Sequence, residues 1–189
     1  MKKMKKFELT SETKINIFGK KLFRIKALIS FADVEAGETG GWVEKEGNVN
    51  QSGDAWVYGN AEVYGNAEVY GNAKVYGNAK VYGNAKVYGN AEVSGNAEVS
   101  GDAKVYGNAD VYGDAEVYGN ADYTTIHGFG TQFRTTTFFR CKDKKVRVAC
   151  GCFFGTIPEF REQVKNTRKG KIAEEYLMIA DLMEKHFEK

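Results

Sequence analysis

From Gly53 to Tyr118 the chain runs as eleven unbroken six-residue units: GDAWVY, GNAEVY, GNAEVY, GNAKVY, GNAKVY, GNAKVY, GNAEVS, GNAEVS, GDAKVY, GNADVY and GDAEVY. Each carries one Val, an Ala two residues before it, and a Gly-Asn or Gly-Asp pair. Alternation along a strand puts Ala and Val on one side, with the charged residue and Tyr on the other. Gly-Asn supplies the residues that best tolerate positive φ, so each unit ends in a corner. Hairpins would need the alternation to mirror itself, and it never does. The pattern therefore predicts a coil with three short faces per turn, each strand lying parallel to the strand 18 residues later. Eleven units make about eleven-thirds of a turn, roughly 18 Å at about 4.8 Å per turn. Val, from Val57 to Val117, fills a narrow interior, as suits a β-branched residue in a stacked strand.

An aliphatic residue at every sixth position with a small residue two before it resembles the hexapeptide-repeat family. That resemblance implies a left-handed parallel β-helix, placed here from about residue 41 to 123. The expected organisation is mainly β. Residues 1–52 form an N-terminal cap and irregular first turns, 53–123 the regular coil, and 124–189 a small C-terminal α+β module. Upstream of the repeat, Val43 and Val49 fall in the small-residue slot while Lys45 and Gln51 occupy the Val slot. The stretch from Phe23 to Ile29 reads as an extra strand, and Tyr123 as a ring plugging the far end.

Charge tests the 18-residue spacing. Glu62, Lys80 and Glu98 alternate on one face, Glu68 sits above Lys86, Lys74 above Glu92 and Lys104 above Asp122. Opposite charges across strands contribute roughly 0.2–1 kcal/mol each. Lys86–Lys104, Glu92–Asp110 and Glu98–Glu116 break the pattern. Asn side chains at corners 18 apart, such as Asn60, Asn78 and Asn96, can form hydrogen-bonded ladders. The outward tyrosines should stack in three ladders interrupted at Ser94 and Ser100. They either stiffen a thin solenoid or form an aromatic patch for a partner, with Tyr76, Tyr82 and Tyr88 as the candidates.

Past the coil, Thr135–Cys141 and Val146–Cys152 read as a hairpin around Lys142-Asp143-Lys144-Lys145. Thr156 with Glu159 is a capping-box signal for a helix to about Val164 or Lys165. A longer helix is expected from Lys171 to Phe187, with Ile172, Tyr176, Ile179, Met183 and Phe187 on one apolar face. That face exceeds what one hairpin covers, so it is the expected seam of a homo-oligomer.

The ends carry a second resemblance. Phe7-Glu8-Leu9-Thr10, the Tyr-rich repeats, Arg134-Thr135-Thr136-Thr137-Phe138-Phe139-Arg140 and Cys150-Gly151-Cys152-Phe153-Phe154-Gly155-Thr156 resemble a group of hexapeptide-repeat proteins from bacteriophages and gut bacteria. Members are labelled as transferases or polymer-forming proteins. The resemblance covers nearly the whole chain and implies a mobile-element origin, but no catalytic residue.

Acyltransfer on such a coil uses a His base beside an excursion loop. The eleven units hold neither, and the only histidines are His127 and His186. Cys141, Cys150 and Cys152 are either buried structural thiols or a three-thiolate metal site, although the usual zinc knuckle spacing is absent. No catalytic residue, metal or cofactor is expected.

Net charge is +2, but it is segregated: +7 over residues 1–26, −10 over 27–133, +8 over 134–171 and −3 over 172–189. The second basic block, with Arg134, Arg140, Lys142, Lys144, Lys145 and Arg147 among Phe138, Phe139, Phe153 and Phe154, has the mixture used by nucleic-acid binders. It is equally a solvated face, or one that docks on an acidic partner or on the acidic coil of a neighbouring molecule. Three Cys are too few for a disulfide framework, and no apolar run reaches the roughly 20 residues of a membrane helix. The expectation is a cytoplasmic, non-enzymatic binding protein that meets a host macromolecule. A host protein comes first as partner, nucleic acid second; a structural subunit is the competing class.

Overall fold

The structure is a computed structural model that describes residues 5–188. Residues 1–4 of the expected N-terminal cap and Lys189 of the C-terminal module lie outside the described residues.

Three antiparallel strands begin the fold: β1 (Phe7–Ile15), β2 (Lys21–Ala27) and β3 (Thr39–Val43). The coil follows as two-residue strands, each a charged residue or Trp and its Val. They are β4 (Trp56–Val57), β5 (Glu62–Val63), β6 (Glu68–Val69), β7 (Lys74–Val75), β8 (Lys80–Val81), β9 (Lys86–Val87), β10 (Glu92–Val93), β11 (Glu98–Val99), β12 (Lys104–Val105), β13 (Asp110–Val111) and β14 (Glu116–Val117). Coil strands three apart pair in parallel and β3 pairs with β5, giving the faces β3-β5-β8-β11-β14, β4-β7-β10-β13 and β6-β9-β12. The 18-residue register is therefore real: Val63 stands on Val81, and Val81 on Val99. The result is a parallel β-solenoid of about four turns.

Strands this short persist because the corners join the ladder. In one unit Lys74, Tyr76 and Asn78 donate backbone N–H groups to Ala91, Val93 and Gly95 of the next turn, at 3.0, 3.0 and 2.8 Å. The corner glycines from Gly53 to Gly113 all have positive φ, and a Cβ on Gly71 would sit 3.0 Å from the Gly89 nitrogen. Only glycine meets both demands. Asn side chains stack at the same corners. Asn72 donates to Asn90 at 3.0 Å and Asn90 to Asn108 at 2.9 Å, while Asn78 reaches Asn96 and Asn96 reaches Asp114. Every Val and Ala of the repeat is buried.

The first turn departs from the expected phase. Val43 pairs with Val63 and Val49 with Val69, a spacing of 20. Both valines therefore stand in the Val column rather than in the small-residue slot. The corner between Val49 and Val57 is two residues longer than the others, which shifts everything before it. Gln51 is free for another task there. Its side chain accepts from the Lys6 and Phe7 N–H groups at 2.8 and 3.2 Å and donates to the Phe7 carbonyl at 3.1 Å, pinning the start of β1. Phe7 and Phe31 meet Trp56 edge-on and close the near end of the coil.

The far end is closed by a four-stranded antiparallel sheet rather than one hairpin: β15 (Tyr123–Phe129), β16 (Arg134–Arg140), β17 (Val146–Cys150) and β18 (Phe153–Thr156). Tyr123 and Phe139 enter the coil core from it, and the Tyr123 hydroxyl donates to the Lys104 carbonyl. Two helices cover its other side, α1 (Ile157–Thr167) and α2 (Gly170–Phe187). Thr156 and Glu159 form the expected capping box.

Extra strands change the fate of α2. Tyr176, Ile179, Met183 and Phe187 are buried against Phe138, Val148, Ile157 and Phe160 of the same chain, with Ile172 partly buried beside them. The face expected to join copies is thus consumed internally, because four strands and α1 offer the area that a hairpin lacks. Met178 and Leu182 are the apolar residues that α2 leaves exposed.

Candidate functional site

Tyr76, Tyr82 and Tyr88 follow β7, β8 and β9, so each lies on a different face of the coil, and the three form no common patch. Ring stacking is real: Tyr64–Tyr82 at 5.1 Å, Tyr70–Tyr88 at 4.8 Å and Tyr88–Tyr106 at 5.2 Å between centroids, with planes within 12°. Beneath the serine interruptions the ladders end in hydrogen bonds. Tyr76 donates to Glu92 at 2.8 Å and Tyr82 to Glu98 at 3.1 Å, each reaching one turn up to where Ser94 or Ser100 replaces a ring. Burial raises the hydroxyl pKa values of Tyr64, Tyr70, Tyr76 and Tyr82, and that of Tyr118 to about 12.

The basic hairpin folds onto its own coil. Lys142 reaches Glu98 and Lys144 reaches Glu116, both at 3.2 Å. These contacts offset the Glu98–Glu116 like-charge step that the register creates. Arg140 pairs with Asp122 at 3.5 Å, donates to the Phe187 carbonyl at 2.6 Å and lies over the Phe187 ring. Asp122 thus serves Arg140, and its carboxylate also accepts the Tyr118 and Gly119 N–H groups, rather than meeting Lys104 as the register suggested. Arg147 pairs with Asp143 at 2.6 Å. Of the six basic candidates, Arg134 and Lys145 alone have no ion pair among the described residues. Four of the six are thus paired with carboxylates of the same chain. Glu92 and Asp110 are the like-charge step left without a cation, in a cleft of about 290 Å³ between Tyr76 and Tyr112. Burial first, and Glu92 second, raise the Asp110 pKa.

The three thiols do not converge. Cys150 stands opposite Thr136 on β16, while Cys141 lies five residues further on, just past the end of that strand and roughly 16 Å away at the usual rise. Burial pushes the Cys141 thiol up to about 11, and Cys150 accepts from the Thr136 hydroxyl at 3.0 Å. Among the described residues no group of three His, Cys, Asp or Glu side chains could hold a metal ion. His127 is exposed on β15, and His186 lies edge-on to Phe187.

Sequence reasoning passed over two features. The first is the β1–β2 tip, where Ile15, Ile17 and Phe18 are 66, 79 and 57 % exposed. Asn16 builds that turn by accepting the Phe18 and Lys20 N–H groups, each at 3.0 Å. Phe18 rests on the stacked pair Tyr64 and Tyr82, at 6.1 and 6.0 Å. Lys14 anchors the same strand, pairing with Glu62 at 2.8 Å and lying over Trp42. Tyr82 is the one predicted candidate that joins an exposed aromatic group. The Ile15-Asn16-Ile17-Phe18-Gly19 run was a signal, but only the tertiary fold shows that it lacks cover. The second feature is a pocket of about 420 Å³ between the end of the C-terminal sheet and the two helices, with Arg134 at its mouth.

No protein-family model matches the chain, and no curated protein matches it. No helix among the described residues is long and apolar enough to cross a membrane.

Proposed function

We propose that the chain is a non-enzymatic binding protein that engages a host macromolecule, in the first instance a protein, from the β1–β2 tip and the tyrosine pair beside it. The observation that carries this reading is the grouping of Ile15, Ile17 and Phe18, exposed within four residues, on a turn held by Asn16 and seated on Tyr64 and Tyr82. Exposed apolar groups that stand together mark interaction surfaces more than scattered ones do. A rigid mount lowers the ordering cost of association, so a small patch gains affinity by being pre-set. A protein surface suits apolar and aromatic anchors; a phosphate backbone would call for free cations, and on the hairpin Lys142 and Lys144 are paired with Glu98 and Glu116 of the coil.

The likeness of the ends to hexapeptide-repeat proteins of phages is the support for a mobile-element origin and for an inhibitor of host defence as one instance. A polymer-forming or structural subunit is the competing class, with the same tip meeting a second copy. Capture from bacterial lysate, with and without nuclease and with sizing of the bait, separates them. The proposal expects one protein enriched in the wild-type capture, surviving nuclease and lost with Ile15→Ser/Ile17→Ser. Signal lost with nuclease would transfer the reading to nucleic acid, and bait alone in large assemblies to a structural subunit.

A further inference from the structure

The pocket beside Arg134 joins the edge of the packed C-terminal core to an exposed polar mouth. Its buried lining is apolar and aromatic: Phe160, Val164 and Tyr176, with Phe153 half-buried beside them. These rings are fixed by one another. Phe160 meets Phe153 at 5.4 Å and Tyr176 at 5.8 Å, and the Tyr176 hydroxyl donates to the Phe129 carbonyl at 3.3 Å. The exposed mouth carries Arg134, Gln163, Thr167 and Arg168. No Asp or Glu lines it, although 25 such residues are spread through the chain.

Both guanidinium groups are uncommitted. The arginines elsewhere on the C-terminal module, Arg140, Arg147 and Arg161, each pair with a carboxylate, and Arg161 pairs with two. Arg134 and Arg168 have no such partner among the described residues; Arg168 donates only to the adjacent Thr167 carbonyl, at 3.3 Å. Gly151, at φ +60, lies beside Arg134, whose guanidinium is the group nearest to where a Cβ would stand. An arginine fork presents paired donors that match phosphate oxygens, and aromatic walls accept a flat ring. A volume of about 420 Å³ lies within the range of about 300–1,000 Å³ found for small-ligand pockets.

We propose that this pocket binds a free mononucleotide, its base against the Phe153–Phe160–Tyr176 cluster and its phosphate between Arg134 and Arg168. No bond is made or broken; Gln163 and Thr167 supply polar partners at the mouth. The inference stands apart from the macromolecular partner, because it rests on the C-terminal pocket and not on the β1–β2 tip, and a titration with small molecules does not involve that tip.

Isothermal titration of the full chain with AMP, GMP, CMP and UMP tests it. Controls are the matching nucleosides, inorganic phosphate and a short deoxythymidine oligonucleotide. At least one mononucleotide is expected to saturate with a Kd below about 1 mM. Its nucleoside and the variants Arg134→Gln and Arg168→Gln should each bind about tenfold more weakly, the loss of one charge-assisted contact. Inorganic phosphate should not saturate. Absence of saturation by all four nucleotides at millimolar concentration overturns the proposal, as does binding that both variants leave unchanged. Tighter, length-dependent binding of the oligonucleotide overturns the assignment to a free nucleotide and moves it to a strand.

Discussion

Lys6 and the ladder tyrosines pull stability in opposite directions with pH. The Lys6 side chain is buried, donates to the Gly53 and Ala55 carbonyls at 3.1 and 2.7 Å, and lies over the Phe31 ring. Burial lowers its pKa to about 8. An unfolded chain, with an ordinary lysine near 10.4, binds the extra proton between those values, so stability rises with pH across that window. Burial raises the hydroxyls of Tyr58, Tyr64 and Tyr123, and that of Tyr118 to about 12. The unfolded chain loses these protons near pH 10 while the folded one keeps them. Their contribution is complete below pH 10 and is lost as pH climbs beyond it. Urea unfolding should therefore grow harder from pH 8 toward 10 and easier above. The rise should vanish in Lys6→Met, which also leaves two carbonyls unpaired and should cost about 1–3 kcal/mol. A monotonic fall from pH 8 in the wild type would contradict the Lys6 account.

At the scale of the element, the coil behaves as a stack in which each turn contacts only its neighbours. Removing residues 83–100, one full turn, brings Tyr82 to Gly101 and leaves every later residue on its own face. That deletion should unfold in one cooperative step with native-like circular dichroism. Removing only residues 83–85 shifts the side chains out of phase and should abolish the transition. The Glu92–Asp110 step gives a finer test. Asp110→Lys places opposite charges in register and should stabilise by about 0.2–1 kcal/mol in urea titrations.

The repeat was legible because all eleven units state the same geometry, each confirming the others. The long corner from Val49 to Val57 was not, since polar corner residues carry no register. Nor was the strand from Tyr123 to Phe129, whose mixed pattern takes its order from β16 beside it. Contacts such as Lys142 with Glu98, 44 residues apart, exist only once the sheet has settled on the coil.

At the scale of the whole molecule, a coil of about four turns is closed at both ends, and ion pairs within the chain join the basic C-terminal block to the acidic coil. Lys142, Lys144 and Arg140 answer Glu98, Glu116 and Asp122. Facing outward are the apolar group at the β1–β2 tip and, at the mouth of the C-terminal pocket, Arg134 and Arg168. The candidate site was half legible: Tyr82 was named from the ladder, but its companion Phe18 lies 64 residues earlier and meets it only through the fold. The central claim is that the tip contacts the partner while the other tyrosines are scaffold. Captured protein should be compared, at matched bait, for the wild type, Ile15→Ser/Ile17→Ser and Tyr76→Ser/Tyr88→Ser. The tip pair packs against no core cluster, so its unfolding midpoint should stay within about 0.5 kcal/mol of the wild type. Capture lost with the tip variant and kept with the tyrosine variant is the predicted result; capture kept with the tip variant and lost with the tyrosine variant would contradict it.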